Sequence, residues 1–173
     1  MASTYSDLGL ELMVTGENAG TWGDKTNTNL NLINQVAAGY ESIALSDGGT
    51  VTLALTDGAV SNARNMILKF TGTLTSASTV TIPDALEKFY IIDLSAVVGV
   101  TNLTIKTVSG TGFTAGEAAI VAAYSDGTNL NEIALNTLGG TIATAQIADA
   151  AVTTAKILDA NVTTAKIADD AVT

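Results

Sequence analysis

The sequence predicts a mainly β protein. It reads as an antiparallel β-sandwich or jelly-roll-like domain with one N-terminal α-helix and a C-terminal repeat rod. Three observations predict it. From Glu41 to Leu135 apolar and polar residues alternate, with SDGG, TDG and SDG turn segments between the runs. Ahead of that stretch lies a single segment with helical periodicity, and after it a ten-residue unit recurs up to Thr173. These features divide the chain into 1–40, a docking segment with one helix; 41–136, an antiparallel β domain; and 137–173, a glycine hinge with repeats.

Residues 1–25 read as irregular, although Leu8 to Val14 alternates and suits one strand. The following TGENAGTWGD is dense in turn formers. Trp22, the sole tryptophan, either anchors this loop in the core or presses into another protein. The helix is expected over Asn27 to Ala38, started by Thr26 or Thr28 and ended by Gly39 at the C′ position. Leu30, Ile33, Val36 and Ala37 share one face. Asn29, Asn31 and Asn34 are poor helix formers, so packing must hold the helix. Its apolar face either docks on a partner or caps the sheet that follows.

Eight strands are expected: Ser42–Leu45, Thr50–Thr56, Asn65–Gly72, Ser78–Pro83, Lys88–Leu94, Asn102–Val108, Ala119–Ser125 and Leu130–Leu135. Val51, Leu53 and Leu55 alternate cleanly, so one face of that strand is buried and the other wet. KFYII is apolar on both faces and belongs at the centre of a sheet. The paired glycines of NTLGG then release the chain into the repeats.

The repeats read AVTTAKILDA and NVTTAKIADD, after a degenerate copy, TIATAQIADA. Their large apolar residues fall at every fifth position: Ile142, Ile147, Val152, Ile157, Val162, Ile167 and Val172. Five residues turn an α-helix by about 500° and flip a strand to its opposite face, so neither regular element keeps the row on one side. A kinked unit of ten does, and its thin row needs cover from other repeats or other chains. Ile147, Val152, Ile157, Val162, Ile167 and Val172 are therefore the expected oligomer interface. Lys156 and Lys166 alternate with Asp159 and Asp169 as solvated pairs. The last repeat is cut short, which predicts a longer natural chain.

The VTTAKIADDAVT repeat resembles those of tail-fibre and virion structural proteins of tailed, marine, cyanophage-like bacteriophages. The run GENAGTWGDKTNTNL, Gly16 to Leu30, is similar to N-terminal openings of the same kind of protein. The two matches touch about a quarter of the chain. The resemblance implies a homotrimer, a virion location after synthesis in the host cytoplasm, and an N-terminus docked on a tail, adaptor or capsid protein. It also implies a distal region that reaches host cell-surface glycan. The docking contacts are then expected at Trp22, Leu30, Ile33 and Val36.

Composition narrows the chemistry. The net charge of −10 offers no basic footprint for nucleic acid. Absent cysteine and histidine remove thiol chemistry and the commonest general base. MASTYSD has neither a basic start nor an apolar run, and no stretch approaches a membrane span, so no membrane insertion is expected. Asp47, Asp57 and Asp126 precede glycines and suit β-turns better than calcium ligation. Asp84 and Glu87 form a carboxylate pair without an aromatic cluster for sugar. The Gly110–Gly112 segment lacks the helix and lysine of a phosphate loop. A depolymerase ranks last, because the chain lacks the length for a β-solenoid and shows no carboxylate cluster. The expectation is a non-enzymatic structural protein without catalytic residues, metal or cofactor. The alternative is a glycan-binding adhesin, for which Tyr90 and Tyr124 are the only aromatic candidates.

Overall fold

The computed structural model describes residues 3–133. The chain divides into two compact units, Met1–Ala134 and Leu135–Thr173. Within the described residues the chain opens on a two-strand ribbon, β1 (Thr4–Tyr5) and β2 (Glu11–Leu12), and continues into α1 (Trp22–Ala38). Nine strands follow. Five make one sheet: β3 (Tyr40–Ala44), β5 (Ile67–Thr73), β7 (Glu87–Val98), β10 (Ile120–Asp126) and β11 (Leu130–Ile133). Four make the other: β4 (Thr50–Thr52), β6 (Ser78–Ile82), β8 (Leu103–Thr107) and β9 (Gly112–Thr114).

The eight expected strands occur, and the short β9 is added between them. Their directions differ from the expectation, because the sheets are mixed. The chain visits the two sheets in alternation from β3 to β8, and β3, β5 and β7 run parallel, as do β4, β6 and β8. Each pair of strands, one from either sheet, is one turn of a coil, and there are three. β9, β10 and β11 then pair antiparallel and close the far end. Period-two alternation reports which face a residue takes and is blind to strand direction. Parallel neighbours need a long crossover, and here a strand of the opposite sheet serves as that crossover. The length of the chain was therefore no bar to a coiled β architecture.

The inward residues of both sheets belong to one core cluster. Leu68, Phe70, Tyr90, Ile92, Leu94 and Ala123 contribute from one sheet; Val80, Ile82, Leu103 and Ile105 from the other. β7 sits at the centre of its sheet, as its two-sided apolar pattern predicts. Leu53 is buried while Thr52 is exposed, which agrees with the alternation read at that strand.

Carboxylates staple successive turns at two corners. Asp47, after β3, accepts the Thr75 and Ser76 amides at 2.8 and 2.9 Å and the Thr75 hydroxyl at 2.6 Å, after β5. Asp84, after β6, accepts the Ser109 amide at 3.0 Å and hydroxyl at 2.6 Å, after β8. Hydrogen bonds to the charged form, led by those hydroxyls, hold both carboxyls below their ordinary range.

Candidate functional site

The Gly16–Leu30 motif is organised around a residue outside it, Glu11. That carboxylate is 6% exposed. It takes an ion pair from Lys25 at 2.8 Å and hydrogen bonds from Ser3 at 2.7 Å and Asn18 at 3.2 Å. Lys25 above all, then Ser3, hold it below the ordinary carboxylate range. Asn29 completes the clasp. Its side chain accepts the Glu11 amide at 3.0 Å and donates to the Glu11 carbonyl at 2.9 Å, as a neighbouring strand would. Asn18 sits at φ 62, a left-handed conformation that Asn tolerates better than most residues. The asparagine that weakens the helix intrinsically is thus what ties it to the β1–β2 ribbon.

The helix begins five residues earlier than its periodicity suggested, at Trp22. Thr21 occupies the N-cap without a side-chain cap bond. Thr26 and Thr28 lie inside the helix; the Thr28 hydroxyl turns back onto the Asp24 carbonyl at 2.9 Å. Gly39 ends the helix as its C-cap, in an extended conformation with φ −67 and ψ 143, one position before the expected C′. Glycine is needed there for close approach, since a Cβ would collide with the Asn65 side chain and the Gln35 carbonyl.

The residue this helix buries is Leu32, 1% exposed, which the expected face did not include. Trp22 is 64% exposed, Leu30 57% and Ile33 47%, and Val36 is half-buried. Trp22 is therefore no core anchor. At 100° per residue Trp22, Leu30 and Ile33 fall within one stripe of about 80°, beside the buried face. The four expected docking residues accordingly separate into an exposed stripe of three and Val36 at its edge.

Arg64 fastens this N-terminal part to the coil. It is the last residue of the 3-10 turn Asn62–Arg64 between β4 and β5 and is 0% exposed. Its Nε donates to the Leu8 carbonyl at 2.9 Å, and one Nη to the Thr56 carbonyl at 2.8 Å. The other Nη reaches the Ala59 carbonyl and the Gln35 amide oxygen. Burial lowers its pKa, and the nearby Asp57 opposes that effect. Lys88 lies close by and donates to the Arg64 and Asn65 carbonyls at 2.9 and 2.7 Å, with its Nζ 4.1 Å from the Tyr90 ring centre. Burial, then the Arg64 charge, bring its pKa down to about 7.

The other candidates have structural roles. Asp47 and Asp84 are the corner staples, and Glu87 stands on β7 without a part in the Asp84 contacts. Asp126 closes its own turn onto the Thr128 and Asn129 amides at 2.9 and 2.6 Å. At Gly110 and at Gly112 the backbone passes too close to the Thr128 and Ile105 carbonyls for a Cβ. Among the described residues, no group of three or more acidic side chains is placed to hold a metal, and no helix is long and apolar enough to cross a membrane. Tyr90 is buried and donates to the Ala63 carbonyl at 2.9 Å, whereas Tyr124 is 45% exposed beside Phe89. An open depression of about 360 Å³ lies between Gln35, Glu41, Thr56 and Asn62.

Ile147, Val152, Ile157, Val162, Ile167 and Val172 lie outside the described residues. Sequence reading missed Glu11 and Arg64. A lone charge in an apolar alternation, at Glu11, and the only arginine of the chain were the signals available. No family model, curated protein or solved structure matches the chain.

Proposed function

We propose that this protein is a non-enzymatic structural component of a bacteriophage virion, a tail fibre or fibre adaptor serving host attachment. Its N-terminal part attaches to another virion protein, and its C-terminal repeats begin a shaft formed with further copies of itself. The observation that carries this reading is the clasp. Asn18, Lys25 and Asn29 of the resembling motif converge on Glu11 and hold α1 so that Trp22, Leu30 and Ile33 stay exposed. A side-chain set spent on presenting an apolar stripe suits a surface completed by a partner.

A tryptophan anchor at an interface contributes about 2 kcal/mol or more. Trp22→Ala is therefore expected to deplete the protein from purified particles several-fold. The thermal transition should stay unchanged, because the side chain is mostly exposed. Normal incorporation of the variant would overturn the docking assignment.

A further inference from the structure

The outward faces of the two sheets are unlike. On the four-stranded sheet, Thr50, Thr79, Thr104 and Thr114 stand side by side across all four strands. On the five-stranded sheet the matching row is Tyr40, Ile67, Ile91, Ala122 and Ile133, apolar across all five strands. Next to it Phe89 faces Tyr124, 41% and 45% exposed, and on the other side Ile120 is 65% exposed. A sheet face left to water is ordinarily polar, as the threonine row is.

We infer that the outward face of the five-stranded sheet, centred on Ile91, Phe89 and Tyr124, is a self-association surface that packs against a further copy of this chain. Three features select that occupant. First, Lys69 and Asp93 neutralise one another at 3.3 Å on one side of the apolar rows, and Glu87 and Asp126 stand opposite each other at the rim beyond Phe89 and Tyr124. Copies that meet on the uncharged rows between them bury no lone charge and leave those two carboxylates at the exposed edge. Second, strands about 4.8 Å apart and outward rows about 6.7 Å apart give a face on the order of 400 Å². That is roughly half of what each partner buries in a stable interface. Third, the chain leaves this sheet at Ile133 and continues into the repeats, which on the proposed reading form a shaft with other chains. Copies joined through the repeats hold identical faces at high local concentration, which offsets the modest area. The surface is independent of which particle protein α1 meets.

The chain has no cysteine, so single thiols report on each face. The experiment compares Tyr124→Cys with Thr114→Cys in the full 173-residue chain, by maleimide labelling rate and by mass from light scattering, from tens of micromolar downward. The expected result is an oligomer in which the thiol at 124 reacts at least ~10-fold more slowly than that at 114, the two converging as dilution yields monomer. Phe89→Ser with Tyr124→Ser should lower the mass at equal concentration. Equal labelling within an oligomer overturns the proposal and places the interface elsewhere. A thiol at 124 protected in a monomer also overturns it, and assigns the cover to residues 134–173 of the same chain. A monomer with both thiols open, whose binding to a panel of host oligosaccharides is lost in Phe89→Ser, overturns it in favour of sugar. Particle incorporation of Trp22→Ala is read separately, so failure here leaves the virion reading standing.

Discussion

The two sheets have similar aliphatic interiors and contrasting exteriors. Val80, Ile82, Leu103 and Ile105 under the threonine face are as buried as Leu68, Tyr90, Ile92 and Leu94 under the apolar one. Outside, one sheet carries Thr50, Thr79, Thr104 and Thr114, and the other carries Tyr40, Ile67, Ile91 and Ile133. Folding of the unit accounts for the interiors. It does not call for the second exterior, since the first shows that a wet sheet on the same coil takes threonine. Two lysines differ in the same way. Lys106 lies in the outward row of the threonine sheet, whereas Lys88 of β7 is drawn toward the Arg64 and Asn65 carbonyls.

The largest expected effect breaks both faces together. Arg64→Ala leaves the Leu8, Thr56 and Ala59 carbonyls without their buried donor, and each such loss costs about 1–3 kcal/mol. A destabilisation of about 4 kcal/mol in chemical denaturation is expected. A loss below about 1 kcal/mol would show that the N-terminal part is not fastened there. A chain begun at residue 41 lacks Leu8 and Gln35 and should also melt at a lower temperature than residues 1–134.

Next are the staples that align the turns beneath both faces. The Asp47 and Asp84 carboxyls are lowered in the folded chain, so their contribution is present above the unfolded carboxylate range. It is lost as pH falls through about 4 and below. Asp47→Ala with Asp84→Ala should lower the melting temperature near pH 7 and change it much less at about pH 2.5. An equal drop at both would mean the staples act through something other than charge.

Lys88 sharpens the contrast between the sheets. Its folded pKa is about 7, against about 10.4 in the unfolded chain. Between those values the unfolded state binds the additional proton, so this group makes stability rise with pH from about 7 to about 10. Lys88→Met should remove that slope, and Lys106→Met should retain it. Identical profiles for the two variants would contradict the burial of Lys88.

The smallest effect is expected on the wet face. Thr79→Val with Thr104→Val should move unfolding free energy by no more than about 0.5 kcal/mol per site. A larger loss would show that the threonine row carries structural hydrogen bonding, such as the Thr104–Thr114 contact at 3.1 Å.

Much of the fold was legible for local reasons. The alternation in Thr79–Ile82 or Leu103–Thr107 names the buried side chains directly, because a strand flips every residue. Gly48 and Gly127 mark turns at positive φ. The candidate site was legible only in part. Helical periodicity identified the apolar residues Leu30, Ile33 and Val36 but not which side of the helix faces the body. Asn29, through its contacts to Glu11, and the burial of Leu32 decide that. The start of α1 at Trp22 was hidden by Gly23, whose weak propensity is overridden where Lys25 of the first turn joins the clasp. Gly39 was read as a terminator at C′, and one part of its constraint, the Asn65 side chain, is distant in sequence.

By itself the sequence determined the β-rich class, the partition of side chains between inside and outside, the turn positions and the lack of thiol or imidazole chemistry. These depend on residue type and short-range spacing. The tertiary structure decided the parallel coiling of β3 to β8, the partners of Glu11 and Arg64, the buried side of α1, and the assembly of one continuous apolar row from five separate strands. Each of those depends on which distant segments become neighbours, and a period of two along the chain carries no information about direction or register between strands.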